Sequence, residues 1–160
     1  EFSRLISRFY QVSTDVMVHS DALVDKLIGD EVTGLYVPGF AGKDHAMIAI
    51  EAAKLLLTVT GHADADGPWV PVGAGVHTGE AFVGAVGSKQ GLTDITTLGD
   101  APNTAARLAS VAATGEIIVS DAAAKAAELD TSGLEGRSLE LKGKSKPVPV
   151  HVIKIRPETH

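Results

Sequence analysis

The run from Thr93 to Leu108 changes character halfway along, and that change narrows the folds open to this chain. Its first half, Thr93-Asp94-Ile95-Thr96-Thr97-Leu98, is rich in β-branched residues and reads as a strand. Gly99-Asp100 reads as a turn. Pro102 suits a first helical turn, where its missing N–H costs nothing. Asn103 and Arg107 then lie four residues apart, so they share one face near a helix start. An amide beside a guanidinium at that place suits a phosphate group. By spacing alone such a pair is usually solvated surface, so its meaning has to come from the rest of the chain.

Phe2 to about His19 has apolar residues at Phe2, Leu5, Ile6, Phe9, Val12, Val16 and Met17, a helical spacing with one buried stripe. Ala22 to Ile28 and Glu31 to Val37 are β-rich runs joined by Gly29-Asp30, a hairpin signal. Pro38 to Lys43 reads as a loop, and Asp44 as the cap of a helix reaching about Thr60. Strands are expected at Val70 to His77, Ala81 to Val86 and Leu92 to Leu98, the first two joined through Thr78-Gly79. A helix at Pro102 to Ala113, capped near Asp100 or Ala101, ends at Gly115. Glu116 to Ser120 is a short strand, and Asp121 to about Leu129 a short helix capped by Ser120 or Asp121. Arg137 to Leu141 and Val148 to Ile155 form a closing strand pair. The core α-β-β-α-β run lacks only a leading strand to be a ferredoxin-like βαββαβ unit, here with a C-terminal αβ extension. The fold class is therefore α+β.

A chain of 160 residues makes one domain of ordinary size. Aromatic residues are only 4%, so the core has to rest on Ala, Val, Leu and Ile. The net charge of −6 argues against a general nucleic-acid or anionic-membrane binder, while leaving room for a local basic pocket. The absence of Cys excludes disulfides and thiolate metal sites and fits a cytoplasmic setting. No run is long enough to span a bilayer. The Gly-rich stretch from Gly73 to Gly87 lacks the Gly-Lys-Ser/Thr ending of a phosphate loop and is read as close backbone packing. His77 is read as a packed, hydrogen-bonded residue. The other histidines show no metal-ligand spacing.

Four ordered segments resemble the class III adenylate and guanylate cyclase catalytic domain. Thr96, Gly99, Asn103 and Arg107 match its nucleotide-binding signature. Lys26-Leu27-Ile28-Gly29-Asp30 is similar to its Lys-x-x-Gly-Asp hairpin. Gly75-Val76-His77-Thr78-Gly79, with Val83 to Gly87, is similar to its Gly-x-His-x-Gly strand pair. Leu141-Lys142-Gly143 is similar to its closing turn. Pro102 departs from the family, which usually has a β-branched or aliphatic residue there.

The resemblance implies an adenylate cyclase that converts ATP to cyclic AMP and pyrophosphate with two divalent ions, Mg²⁺ or Mn²⁺. Asn103 would orient the ribose and Arg107 would stabilise charge on the α-phosphate. Lys142 would contact the phosphates, Lys26 and Thr96 would read adenine, and Asp30 would bind metal. Metal ligand and base readers belong to opposite subunits in that family, so the resemblance also implies a homodimer, with a linked sensor domain. Its first strand carries an Asp-x-x-Gly-Phe segment that nothing here matches, so residues 1–160 are expected to be an N-terminally incomplete domain. The alternatives are a catalytically inactive nucleotide-binding or dimerisation module and, further off, a guanylate cyclase.

Overall fold

Two glycines, Gly73 and Gly75, let a helix lie directly on a strand, and the layers of the molecule follow from that contact. A computed structural model describes residues 1–80, 82–88, 91–98 and 100–158, with residues 25–28, 82–88 and 91–98 described by backbone alone. The first helix, α1, spans Phe2–His19 and buries Phe9, Ser13 and Val16, while Phe2 stays exposed. It ends where the Ser20 hydroxyl donates back to the Val16 carbonyl at 2.8 Å and Asp21 turns left-handed. Strands β1 (Leu23–Ile28) and β2 (Glu31–Leu35) form the expected antiparallel hairpin, with Ile28 opposite Glu31 across Gly29-Asp30.

Pro38–Ala41 forms a short helix, α2, inside the segment expected to be a loop; Pro38 sets its first turn. Helix α3, His45–Val59, follows without a side-chain cap from Asp44. Next come β3 (Ala74–Val76), β4 (Phe82–Ser88), β5 (Gly91–Leu98), α4 (Asp100–Val111) and β6 (Glu116–Ser120). The chain closes with α5 (Asp121–Ala126), β7 (Glu135–Leu139) and β8 (Val148–Lys154). Ser120 caps α5 by accepting from the Ala123 N–H at 3.1 Å.

One sheet has the order β3-β6-β8-β7, with β3 and β6 parallel and the other pairs antiparallel. The hairpins β1-β2 and β4-β5 stand as separate two-stranded ladders. Every residue of β6 is buried, because helices cover both faces of this sheet. Alternation along β6 divides the core. Ile117 and Val119 pack with Phe9, Ile50, Leu57 and Ala123 on one side. Ile118 packs with Leu108, Leu141 and Val150 on the other, under α4.

The two strands expected as a pair around Gly-x-His-x-Gly do not pair with each other among the described residues. β3 pairs in parallel with β6, and β4 pairs with β5. A parallel neighbour needs a crossover, and the route from β3 to β6 runs through α4. The strand expected over Val70 to His77 is also shorter, because the Val72 N–H donates to His62 Nε2 at 3.1 Å and so leaves the ladder. The helix expected to reach Leu129 stops at Ala126, with Glu128 left-handed.

A β-carbon built on Gly75 would lie 2.5 Å from the Ala109 nitrogen and 2.7 Å from the Ala105 oxygen of α4. At Gly73 the nearest atoms, the Ala112 β-carbon and oxygen, would be 2.9 Å away. The far end of α4 is held by Glu116, which accepts from the Ala113 N–H at 2.9 Å and pairs with Arg137 at 2.8 Å. Gly75→Ala should destabilise the chain by about 3 kcal/mol or more, since backbone rather than a flexible side chain has to move. Gly133→Ala, where nothing lies within 4 Å, should change stability by less than about 0.5 kcal/mol. Urea unfolding of the two variants checks this, and equal midpoints would contradict it.

Candidate functional site

Helix α4 presents Asp100, Asn103 and Arg107 along one line, while Thr104 and Leu108, one position further round, are buried against the sheet. Asn103 is exposed and Arg107 is half-buried. The turn between β7 and β8 lies against the same line. A β-carbon built on Gly143 would be 3.3 Å from both terminal guanidinium nitrogens of Arg107. Gly143 has φ +87°, a conformation other residues rarely adopt. Lys142, beside it, is exposed. Residues 140–147 line an open hollow of about 410 Å³ that holds Lys142, Lys144 and Lys146. A chain of net charge −6 thus gathers positive charge at one corner, beside a helix N-terminus.

Two groups not among the expected site residues complete this corner. Lys144 forms an ion pair with Asp100, in the first turn of α4. That hydrogen bond is the main reason Asp100 titrates below its ordinary range. His77, just past β3, bonds through Nδ1 to the Ser120 hydroxyl at 2.7 Å, which agrees with its reading as a packed residue. The Asp100–Lys144 pair joins positions 44 residues apart in sequence. Its only local signal is an acid at a helix start, which reads as a cap.

The candidate residues fall into two groups. The structure brings Asn103, Arg107 and the Lys142 turn together. Asp30 sits exposed at the tip of the β1–β2 hairpin, and the charged groups bearing on Asp100 are Lys144, His77 and Arg107. Lys26 lies on β1 opposite Thr33, and Thr96 on β5 opposite Gly84. β1 touches β5, so the two strands that carry them are neighbours. The side chains of Lys26 and Thr96, and all of Gly99, lie outside the described residues. Among the described residues no group of three or more His, Asp and Glu could hold a metal ion. Asp30 alone does not fit a hard divalent cation, which takes several oxygen ligands.

A family profile for the adenylate and guanylate cyclase catalytic domain matches residues 12–154. The chain belongs to that family, the class III nucleotide cyclases. A search of curated protein sequences found no match. Among solved structures, the guanylyl cyclase Cya2 is similar at a TM-score of 0.76 and 21% identity, covering 94% of this chain and 78% of its own. The adenylyl cyclase CyaB from P. aeruginosa is similar at 0.70 and 24% identity, covering 99% and 85%. The guanylate cyclase domain of RhGC from Catenaria anguillulae, solved with GTP, is similar at 0.76 and 19% identity, covering 98% and 85%. At these identities the likeness shows the fold, and the relatives include cyclases of both specificities.

Burial, reinforced by Lys144 and opposed by Asp100, lowers the His77 pKa from its ordinary 6.5. The folded chain therefore binds fewer protons than the unfolded chain as pH falls through about 6.5. This contribution to stability is full above that pH and is lost below it. Between about pH 7.5 and about pH 5.5 the urea midpoint should fall further for the native chain than for His77→Gln. Parallel curves would contradict the placement of His77.

Proposed function

We propose that the chain is the catalytic domain of an adenylate cyclase that converts ATP into 3′,5′-cyclic AMP and pyrophosphate. The ribose 3′-oxygen attacks the α-phosphorus; the new O–P bond forms as the bond to the pyrophosphate oxygen breaks. The observation that supports this best is the Arg107 guanidinium, set beside exposed Asn103 and against the Lys142-Gly143 turn. Arg107 stabilises the charge that builds on the α-phosphate, a task suited to a fixed charge with a forked donor set. Asn103 orients the ribose, Lys142 draws in the phosphates, and Lys26 with Thr96 selects adenine.

The working unit in this proposal is a cytoplasmic homodimer, with a linked sensor domain setting how the two halves meet. Asp30 of one subunit faces the Asn103/Arg107 set of its partner. In this proposal the second carboxylate comes from a strand ahead of α1, as the family resemblance implies. What supports this is that β3 ends the four-stranded sheet while β2 pairs only with β1, among the described residues. Divalent metal ions, when bound, would acidify the hydroxyl and offset phosphate charge. The described residues do not form their site, so every step assigned here belongs to the chain's own side chains.

A second reading is an inactive nucleotide-binding or dimerisation module, which needs no metal-holding group, and none is formed among the described residues. Assays on the natural polypeptide separate the two. Cyclic AMP formation from ATP with Mn²⁺ should fall by about 100-fold or more in Arg107→Ala. An unchanged rate would remove the proposed role, and no product from the native protein would favour the inactive module. Lys26→Glu combined with Thr96→Cys should shift the ratio of kcat/KM from ATP towards GTP by about tenfold, by inverting donors and acceptors at the purine edge. An unchanged ratio would contradict the base-reading assignment.

A further inference from the structure

The turn between β7 and β8 touches α4 at two places two helical turns apart. Asp100 and Arg107 are seven residues apart, which puts them on one face about 10 Å from each other along the axis. Gly143 sits at the Arg107 end, where its bare backbone meets the guanidinium. Lys144, the next residue, runs back along the helix to Asp100. Its side chain is only 25% exposed, so it lies along the surface rather than reaching into solvent. The start of the turn is anchored separately. Leu141 is buried with Leu108, Ile118 and Val150, and the Lys144 N–H closes the turn on the Leu141 carbonyl at 3.0 Å.

From these contacts we propose that Asp100 and Lys144 are positioning residues for Arg107: their ion pair latches the turn along α4 and so holds the Gly143 backbone against the guanidinium. This rests on the reading of Arg107 as the charge-stabilising group. Neither latch residue touches substrate. With the latch open, the turn is still held at Leu141 and at Val148, which pairs with Leu139, but nothing ties its tip to the start of α4, and Gly143 is free to lift away from Arg107. Asp100 is 64% exposed, so the latch is weak, and its loss is expected to cost a few-fold rather than orders of magnitude.

The test uses the natural polypeptide and two readouts, nucleotide turnover and the rate at which phenylglyoxal, an arginine reagent, modifies Arg107 as mapped by mass spectrometry. Asp100→Asn and Lys144→Met should each lower kcat about threefold to fivefold with KM changed less than about twofold. The double variant should be no worse than either single, since both break one contact. Lys144→Arg should restore the native values. Arg107 should be modified about threefold to fivefold faster in Asp100→Asn and in Lys144→Met. A raised KM in Lys144→Met with Asp100→Asn unchanged would overturn the latch, because Lys144 would then be gripping substrate itself. An unchanged Arg107 modification rate in both variants would also overturn it. If the native protein makes no cyclic nucleotide, the cyclase reading fails, and the modification rates still decide the latch.

Discussion

The seating of α4 on β3 is the contact on which the rest of the structure depends. Gly75 has no β-carbon, so the backbone of α4 at Ala105 and Ala109 rests almost directly on the strand. That closeness fixes both the height and the rotation of the helix. Rotation decides which residues are buried: Thr104 and Leu108 go under, leaving Asn103 and Arg107 on the adjoining line. A helix held further off by side chains would pack through longer, more adaptable contacts, and the Arg107 line would be set less firmly.

The second constraint is electrostatic. An acidic chain concentrates Lys142, Lys144 and Lys146 in the turn between β7 and β8, which lies along α4 from Asp100 to Arg107. Asp100 tempers that charge through Lys144, and half-buried His77 sits between them and the Ser120 cap of α5. The hairpin tip with Asp30 belongs to a different ladder. One protomer therefore displays two chemically opposite surfaces, an acidic tip and a basic corner. A head-to-tail pair would bring each against its complement.

Much of this was legible in the sequence, for identifiable reasons. The apolar stripe of α1, the Gly29-Asp30 hairpin and the Ser120 cap are local, and local patterns carry local structure. The value of Gly73 and Gly75 as packing glycines was also readable, though the partner that needs them was not. What stayed hidden depended on distant residues. The His62 ring takes the Val72 N–H and shortens β3, and the parallel β3–β6 pairing separates two strands that are neighbours in sequence. In the candidate site, Asn103, Arg107 and Lys142 could be picked from motif spacing. The tie from Lys144 to Asp100 could not, because a long surface side chain can reach many partners and the sequence does not rank them.

The central claim is that a working site needs Asp30 from one subunit and Arg107 from the other. Complementation tests it most directly. Natural polypeptides carrying Asp30→Ala and Arg107→Ala would be assayed for cyclic nucleotide formation alone and after mixing to equilibrium. Each should be inactive alone, and the equimolar mixture should recover about a quarter of native activity, because half the dimers are mixed and each carries one intact site. No recovery in a mixture shown by mass spectrometry to contain mixed dimers would contradict the account.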